Sequence, residues 1–210
     1  KIYKDNTARL EALKAAGVAV ADPDGKRALA MGLVECLGDP DPTLRDGIAY
    51  EALQHWMRAG DFDVAAVRGL RDALLARLDA ADPHGVSRPF AALVLAEVAR
   101  TDRIAPWMSP AEREAMLARA TAYLASVRDY RGFEAGIGWR HGVAHGADWL
   151  LQLSLNPALE SVQLQRVLDA VALQSVPGPA HGYAFGEAGR LARPVAYVAR
   201  RGLLPEAAWQ

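Results

Sequence analysis

His141, His145, Asp148 and Gln152 place two imidazoles, a carboxylate and an amide along one stripe of a helix, since residues three or four apart return to the same face at about 100° per residue. Around the rest of that helix, which the spacing starts near Trp139, the side chains are Gly142, Val143, Gly146, Ala147, Trp149, Leu150 and Leu153. Nearly all its polarity is confined to one line, whereas a surface helix spreads charge over a broad face. The pattern predicts a helix buried around most of its girth, with Gly142 and Gly146 letting a neighbouring backbone come close at a propensity cost of about 1 kcal/mol each.

Such a stripe supports three chemistries. The first is an internal hydrogen-bond network in which Asp148 orients one histidine and the other binds a backbone carbonyl. The second is a metal site: histidines at i and i+4 stand at chelating distance, Asp148 or a loop residue can be the third ligand, and zinc is the natural ion. Gly142 stands where a metalloprotease helix carries its Glu, so that assignment is rejected. The third is metal-free binding or acid–base chemistry, with Asp148 or Glu134 as a burial-tuned carboxylate and a histidine moving protons near neutral pH. No other cofactor is expected.

Aromatic residues crowd the same part of the chain. Trp139, Trp149, Tyr130, Phe133 and Tyr183 lie near the stripe in sequence, and His181 and Glu187 are placed to fold back towards it. Rings beside carboxylates and imidazoles suit a small polar ligand such as a sugar. The segments 128–138 and 176–187 are rich in glycine and aromatic residues and read as loops flanking the stripe, which with it would form a pocket.

These groups need a scaffold, and helix signals dominate the 210 residues. The spacing predicts about nine helices, near 5–17, 24–38, 63–81, 87–101, 109–127, 139–155, 157–175 and 187–202, with one more opened by Asp41-Pro42-Thr43-Leu44 and carrying Ile48, Leu53 and Trp56. Ser109-Pro110-Ala111-Glu112 is a capping box with proline in the first turn. Short loops imply antiparallel neighbours. The segment Asp39-Pro40-Asp41-Pro42-Thr43-Leu44-Arg45-Asp46 is similar to the opening of a HEAT-type repeat, with Asp as cap and an Arg-Asp pair on the first turns. The expected architecture is one all-α domain over residues 1–210, a HEAT-like superhelical stack of antiparallel helix pairs. A compact helical bundle or an α/α-toroid-like arrangement is the alternative.

Composition excludes several classes. With 24 basic and 25 acidic side chains the net charge is −1, without the basic excess of a nucleic-acid binder. No run approaches the about 18–20 apolar residues of a membrane span. The lone Cys36, in an apolar run, excludes an intrachain disulfide and cysteine-based zinc clusters and reads as a buried small hydrophobe. The chain opens on Lys1, which a cleaved signal peptide and a trimmed terminus would both produce, so cytoplasmic and periplasmic or secreted locations stay open. His55 beside Trp56 reads as structural and His84 as an exposed turn residue.

The run Gly138-Trp139-Arg140-His141-Gly142-Val143-Ala144-His145-Gly146-Ala147-Asp148 resembles the Gly-Trp-x-His-x-x-Ala-His-x-Ala-Asp signature of a bacterial family of unknown function, DUF2785. Leu44-Arg45-Asp46, Phe90-Ala91-Ala92-Leu93, Glu187 and Arg190-Leu191 are similar to further stretches of that family, over residues 30 to 205. The resemblance implies a full-length helical domain and carries no activity, cofactor or catalytic residue.

The functional expectation is a small polar ligand, with hydrolysis as a possible chemistry. His141 and His145 would contact ligand or metal, and Asp148 would orient or act as general base. Trp139, Tyr130, Glu134, Trp149, Gln152, His181, Tyr183 and Glu187 would line the site. The alternative is a non-catalytic scaffold for a protein partner, with the His/Asp stripe purely structural. Whether the protein is an enzyme stays open.

Overall fold

A computed structural model of the chain describes residues 7–176 and 181–209. Helices occupy the stretches whose local chemistry demands them: α1 (Thr7–Ala15), α2 (Pro23–Cys36), α3 (Pro42–Leu44), α4 (Glu51–Ala59), α5 (Val64–Asp79), α6 (Ser87–Ile104), α7 (Pro110–Ser126), α8 (Gly142–Ser154), α9 (Ser161–Ser175) and α10 (Glu187–Arg201). A π-helical segment, Arg45–Tyr50, joins α3 to α4, and Glu206–Trp209 forms a 3-10 turn. Counting α3, the π segment and α4 as one rod, the described residues carry the nine helices expected. The start expected near residue 5, and Pro177, Gly178 and Pro179 of the second loop, lie outside the described residues.

Side-chain caps set the boundaries. Asp22 accepts from the amides of Asp24 and Gly25 at the start of α2, and Asp63 from that of Ala66 at the start of α5. The capping box of α7 is complete, with Ser109 Oγ accepting from Glu112 N at 3.2 Å and Glu112 Oε2 from Ser109 N at 2.8 Å. Asp41 caps the rod at 42–59 by accepting from Thr43 N at 2.8 Å, and Arg45 and Asp46 form the ion pair that their positions suggested. What the sequence did not announce is that the rod then widens into a π turn, a feature often found at functional places.

The helices pack as two rows. One row runs α2, α5, α7, α9 and the other α4, α6, α8, α10, with principal contacts along each row (α2–α5, α7–α9; α4–α6, α6–α8, α8–α10) and across each pair (α5–α6, α7–α8, α9–α10). The class is all-α, helix packed on helix, with one two-stranded ribbon inserted between α7 and α8. A connected apolar core extends from Leu10 to Val198, with Trp56, Leu74, Leu95, Leu117, Trp149 and Leu164 wholly enclosed. No helix among the described residues is long and apolar enough to cross a membrane.

α8 sits where four neighbours meet, touching α6, α7, α9 and α10. Its residues Gly142–Ala147, Trp149, Leu150, Leu153 and Ser154 are buried, as its sequence implied. A methyl group added at Gly146 would stand 3.0 to 3.1 Å from Tyr123 and Leu124 of α7. Gly146→Ala is therefore expected to lose about 1–3 kcal/mol through overpacking, against a propensity gain of about 1 kcal/mol. A chemical-denaturation midpoint that rises in this variant would show that α7 and α8 can part without cost.

Candidate functional site

The helix expected from Trp139 begins at Gly142. The preceding chain forms an antiparallel ribbon, β1 (Phe133–Glu134) with β2 (Gly138–Trp139), in which Phe133 pairs with Trp139 and Glu134 with Gly138. Gly136 (φ 84°) and Gly138 (φ 79°) turn the chain through left-handed conformations open to glycine. His141 then takes a left-handed backbone of its own, φ 54° and ψ 36°, at the N-cap of α8, with no side-chain cap there. A non-glycine residue held this way stores strain.

That backbone lays the imidazole of His141 flat on the indole of Trp139, with centroids 4.2 Å apart and planes 6° from parallel. Phe133 and Phe185 meet the same indole edge-on at 5.2 and 5.9 Å. Phe133, Trp139 and Phe185 are all exposed, 54%, 38% and 44%, which leaves an aromatic wall open to solvent. Phe185 reaches it by lying over Gly132, where any Cβ would collide with its ring.

His145 lies one turn deeper, wholly inside the protein. Its Nδ1 stands 3.0 Å from the carbonyl of Pro89, and Phe90 closes on it edge-to-face at 5.1 Å. A carbonyl can only accept, so Nδ1 carries the proton and Nε2 presents its lone pair. In His141 the assignment reverses. Nδ1 is buried and has no partner among the described residues, which a lone pair tolerates better than an N–H, so Nε2–H is the group offered outward. The two rings lie 5.9 Å apart and present one donor and one acceptor.

Burial lowers the basicity of both imidazoles. For His141, desolvation and Arg190 outweigh the opposing charge of Glu187. For His145, desolvation and the neighbouring His141 hold the pKa at about 3, against an ordinary 6.5. Because the folded state favours neutral His145, its contribution to stability is complete above about pH 6.5 and drains away as pH falls towards 3. The expected loss is about 1.4 kcal/mol per pH unit below that point, checked by denaturation midpoints between about pH 7 and pH 5. His145→Asn, whose amide can still donate to Pro89, should flatten this slope. A slope unchanged by that substitution assigns it to other groups.

Asp148 does not orient either histidine. It forms an ion pair with Arg190 of α10, and burial raises its carboxyl above the usual range against the opposing charges of Arg190 and Arg193. Gln152 accepts from Arg103 Nε at 3.2 Å. Engaged by Arg190, Asp148 does not stand as a third ligand beside the two imidazoles. Among the described residues no group of three His, Cys, Asp or Glu side chains is arranged to hold a metal ion.

The remaining expected residues separate into those brought to this corner and those placed elsewhere. Glu187 is buried at the start of α10, accepts from Phe185 N at 2.8 Å, and acts electrostatically on His141. Glu134 pairs with Arg140 at 2.5 Å and so braces the ribbon. Tyr130, His181 and Tyr183 form a second aromatic cluster, with Tyr130 and His181 stacked at 4.6 Å and Tyr183 donating to the Gln174 carbonyl. Trp149 is not at the site. It is fully buried on the α7 side of α8, tilted against Tyr123 at 6.4 Å, with its indole N–H unpartnered among the described residues. The expected pocket around the stripe also differs. A cavity of about 480 Å³ opens beside the start of α8, lined by Asp82, Arg88, Tyr123, Asp129, Arg140 and Gly142, and none of His141, His145 and Asp148 lines it.

Two groups carry more than the sequence reading assigned to them. Arg190 was visible only as part of a resemblance, although Arg190, Arg193 and Tyr197 share one face of α10 at helical spacing. Arg45, fully buried, donates from Nη1 to the Asp39 carbonyl at 3.0 Å and from Nη2 to the Ile137 carbonyl at 2.7 Å, anchoring the ribbon to the π segment. The sequence pointed to its pair with Asp46 but not to its burial or its reach to Ile137.

Fold and site together define an all-α protein of paired helices, with a histidine–aromatic corner at the head of one central helix. The chain belongs to the family described as protein of unknown function DUF2785, whose family model matches residues 74–210. The match begins within α5, so Leu44-Arg45-Asp46 lies outside it. No curated protein and no solved structure matches the chain.

Proposed function

We propose that this protein is a single domain that binds a small polar ligand at the corner formed by Trp139, His141, His145 and Glu187, with hydrolysis as the reaction those groups would serve. The observation that carries this reading is His141 itself. Its strained backbone holds an imidazole face-on to a half-exposed indole, with Nδ1 enclosed and Nε2–H left to meet a ligand acceptor. Strain of this kind persists only when the surroundings impose it, and it gathers at sites of function. His145 Nε2, its tautomer set by Pro89, is a lone pair able to accept a hydrogen bond from a bound hydroxyl or water and so orient it. Asp148, engaged by Arg190, is assigned to positioning α10 and not to proton transfer.

The two rows of helices support a second reading, a HEAT-like scaffold whose α4–α10 row docks a protein partner. His141→Gly separates the two. Glycine relieves the left-handed backbone, so stability should hold or rise by up to about 1 kcal/mol, while thermal shifts produced by a panel of sugars, carboxylates and phosphate esters should vanish. A melt that drops steeply in the variant, with no ligand response in the parent, would make the ring a packing element and favour the scaffold.

A further inference from the structure

The cavity of about 480 Å³ beside the start of α8 has the volume of a small-molecule pocket. Its wall is built by the end of α5 and the turn after it, the first turn of α6, the last turns of α7 with the residues that follow, and Arg140 and Gly142. The glycines show how closely these segments meet. A Cβ on Gly142 would stand 3.2 Å from Val127 Cγ1, 3.5 Å from Tyr123 Oη and 3.7 Å from the Asp129 carbonyl. One on Gly85 would stand 2.8 Å from Asp129 Oδ2 and 3.5 Å from Arg140 Nε.

The wall carries charges of both signs, and each of its carboxylates is already engaged. Asp79 pairs with Arg119 and Asp129 with Arg131, while Asp82 accepts from the amides of Val86, Ser87 and Arg88 at 3.0, 3.0 and 2.9 Å. The guanidiniums are not used up. Arg140, whose side chain is 5% exposed, donates from Nε to the His84 carbonyl at 3.1 Å and from Nη1 to Glu134 at 2.5 Å. Its Nη2 has no partner among the described residues and is not sealed from solvent, so the cavity that Arg140 lines is where this nitrogen opens. Two further cations in the wall cap helix ends. Arg88 donates to the Ala80 carbonyl and Arg128 to those of Ala125 and Val127, and neither has a carboxylate partner among the described residues.

Apolar surface from Leu78, Pro89, Val127 and the Tyr123 ring fills the rest of the wall. A guanidinium with a spare N–H matches the planar oxygens of a carboxylate, and the apolar surface suits a hydrocarbon body. Three carboxylates in the same wall oppose a multiply charged phosphate more strongly than a single carboxylate.

We propose that this cavity is a second ligand site, apart from the His141 corner, for a small organic acid with an apolar body. The acid's carboxylate meets Arg140 Nη2, and its body lies against Leu78, Pro89 and Val127.

The test is titration calorimetry of the full chain with phenylacetate and with octanoate, alongside neutral phenylacetamide and inorganic phosphate. The organic acids should bind, and phenylacetamide and phosphate should bind at least about tenfold more weakly. Arg140→Lys keeps a cation for Glu134 but loses Nη2, and should weaken phenylacetate about tenfold. Ala122→Trp fills the cavity from an exposed position of α7, and should abolish binding with the melt unchanged. If Arg140→Lys proves unstable, Ala122→Trp alone carries the test. The inference falls if neither acid binds, or if Ala122→Trp binds them as well as the parent. Phenylacetamide equal to phenylacetate would overturn the anion, and phosphate bound more tightly than either acid would overturn the apolar body. Binding that survives Ala122→Trp and disappears in His141→Gly would place the acid at the corner and overturn the second site.

Discussion

Asp102→Ala should cost the fold about 3–5 kcal/mol, because it strands a buried cation and three further donors at once. Asp102 is enclosed near the end of α6 and gathers five hydrogen bonds. The amides of Trp107 and Met108 donate to Oδ1 at 2.9 and 2.7 Å, and Arg113 donates from Nε to Oδ2 at 2.8 Å and from Nη2 to Oδ1 at 3.3 Å. Asn156 of the loop after α8 adds Nδ2 at 2.8 Å. One carboxylate therefore organises the α6–α7 turn, the first turns of α7 and the α8–α9 loop.

Burial by itself would push this carboxyl upward, but hydrogen bonds from Arg113, Met108 and Trp107 outweigh it and hold the pKa below its ordinary 3.8. A lowered carboxylate stabilises the native state fully above its unfolded value and loses that contribution as pH falls through the folded one. Asp102→Asn should keep the shape, lose the charge facing Arg113 and fall between parent and alanine variant. Urea unfolding followed by circular dichroism checks the order. A loss under about 1 kcal/mol in the alanine variant would mean that water replaces the carboxylate and that the turn is not anchored here.

The second large effect is expected at Arg45. Its guanidinium is fully enclosed, stands 4.7 Å from the centre of the Phe90 ring, and donates to carbonyls of both Asp39 and Ile137. Its Nε lies 2.7 Å from Asp46 Oδ1, a close ion pair whose angle falls short of a hydrogen bond. Arg45→Ala removes the cation, empties an enclosed site and leaves these half-buried acceptors without donors, at an expected cost of about 2–3 kcal/mol. Arg45→Lys retains the charge but not the fork that spans both segments, and should recover only part of the loss. Because the Ile137 and Trp139 carbonyls belong to the ribbon that carries the indole under His141, the lysine variant should also lower ligand response at temperatures where it is folded. A lysine variant equal to the parent in both stability and ligand response would reduce Arg45 to a filler of space.

Particular residues show what was legible before the fold was known. The helices were, because their signals are local: Ser109 and Glu112 cap α7 with atoms three residues apart, and Asp63 opens α5 the same way. The burial of α8 was legible from the confinement of its polarity to one stripe, and its close approach to α7 from Gly142 and Gly146. The ribbon was not. The helical spacing of the stripe continues back through Trp139 whether or not the backbone follows it, and only the positive φ angles at Gly136, Gly138 and His141 end the helix at Gly142.

The sequence by itself determined an all-α chain, the caps that open α5 and α7, the central buried helix and the histidines it carries, because each depends on residues within a turn or two of one another. The tertiary structure alone decided what those histidines do. His145 meets the Pro89 carbonyl 56 positions away, Asp148 meets Arg190 at a separation of 42, and Arg45 reaches Ile137 across 92. Two of those three partners are backbone carbonyls, which every residue possesses and no side-chain pattern can announce, so the tautomer of His145 and the pairing of Asp148 with Arg190 became visible only when the helices were packed.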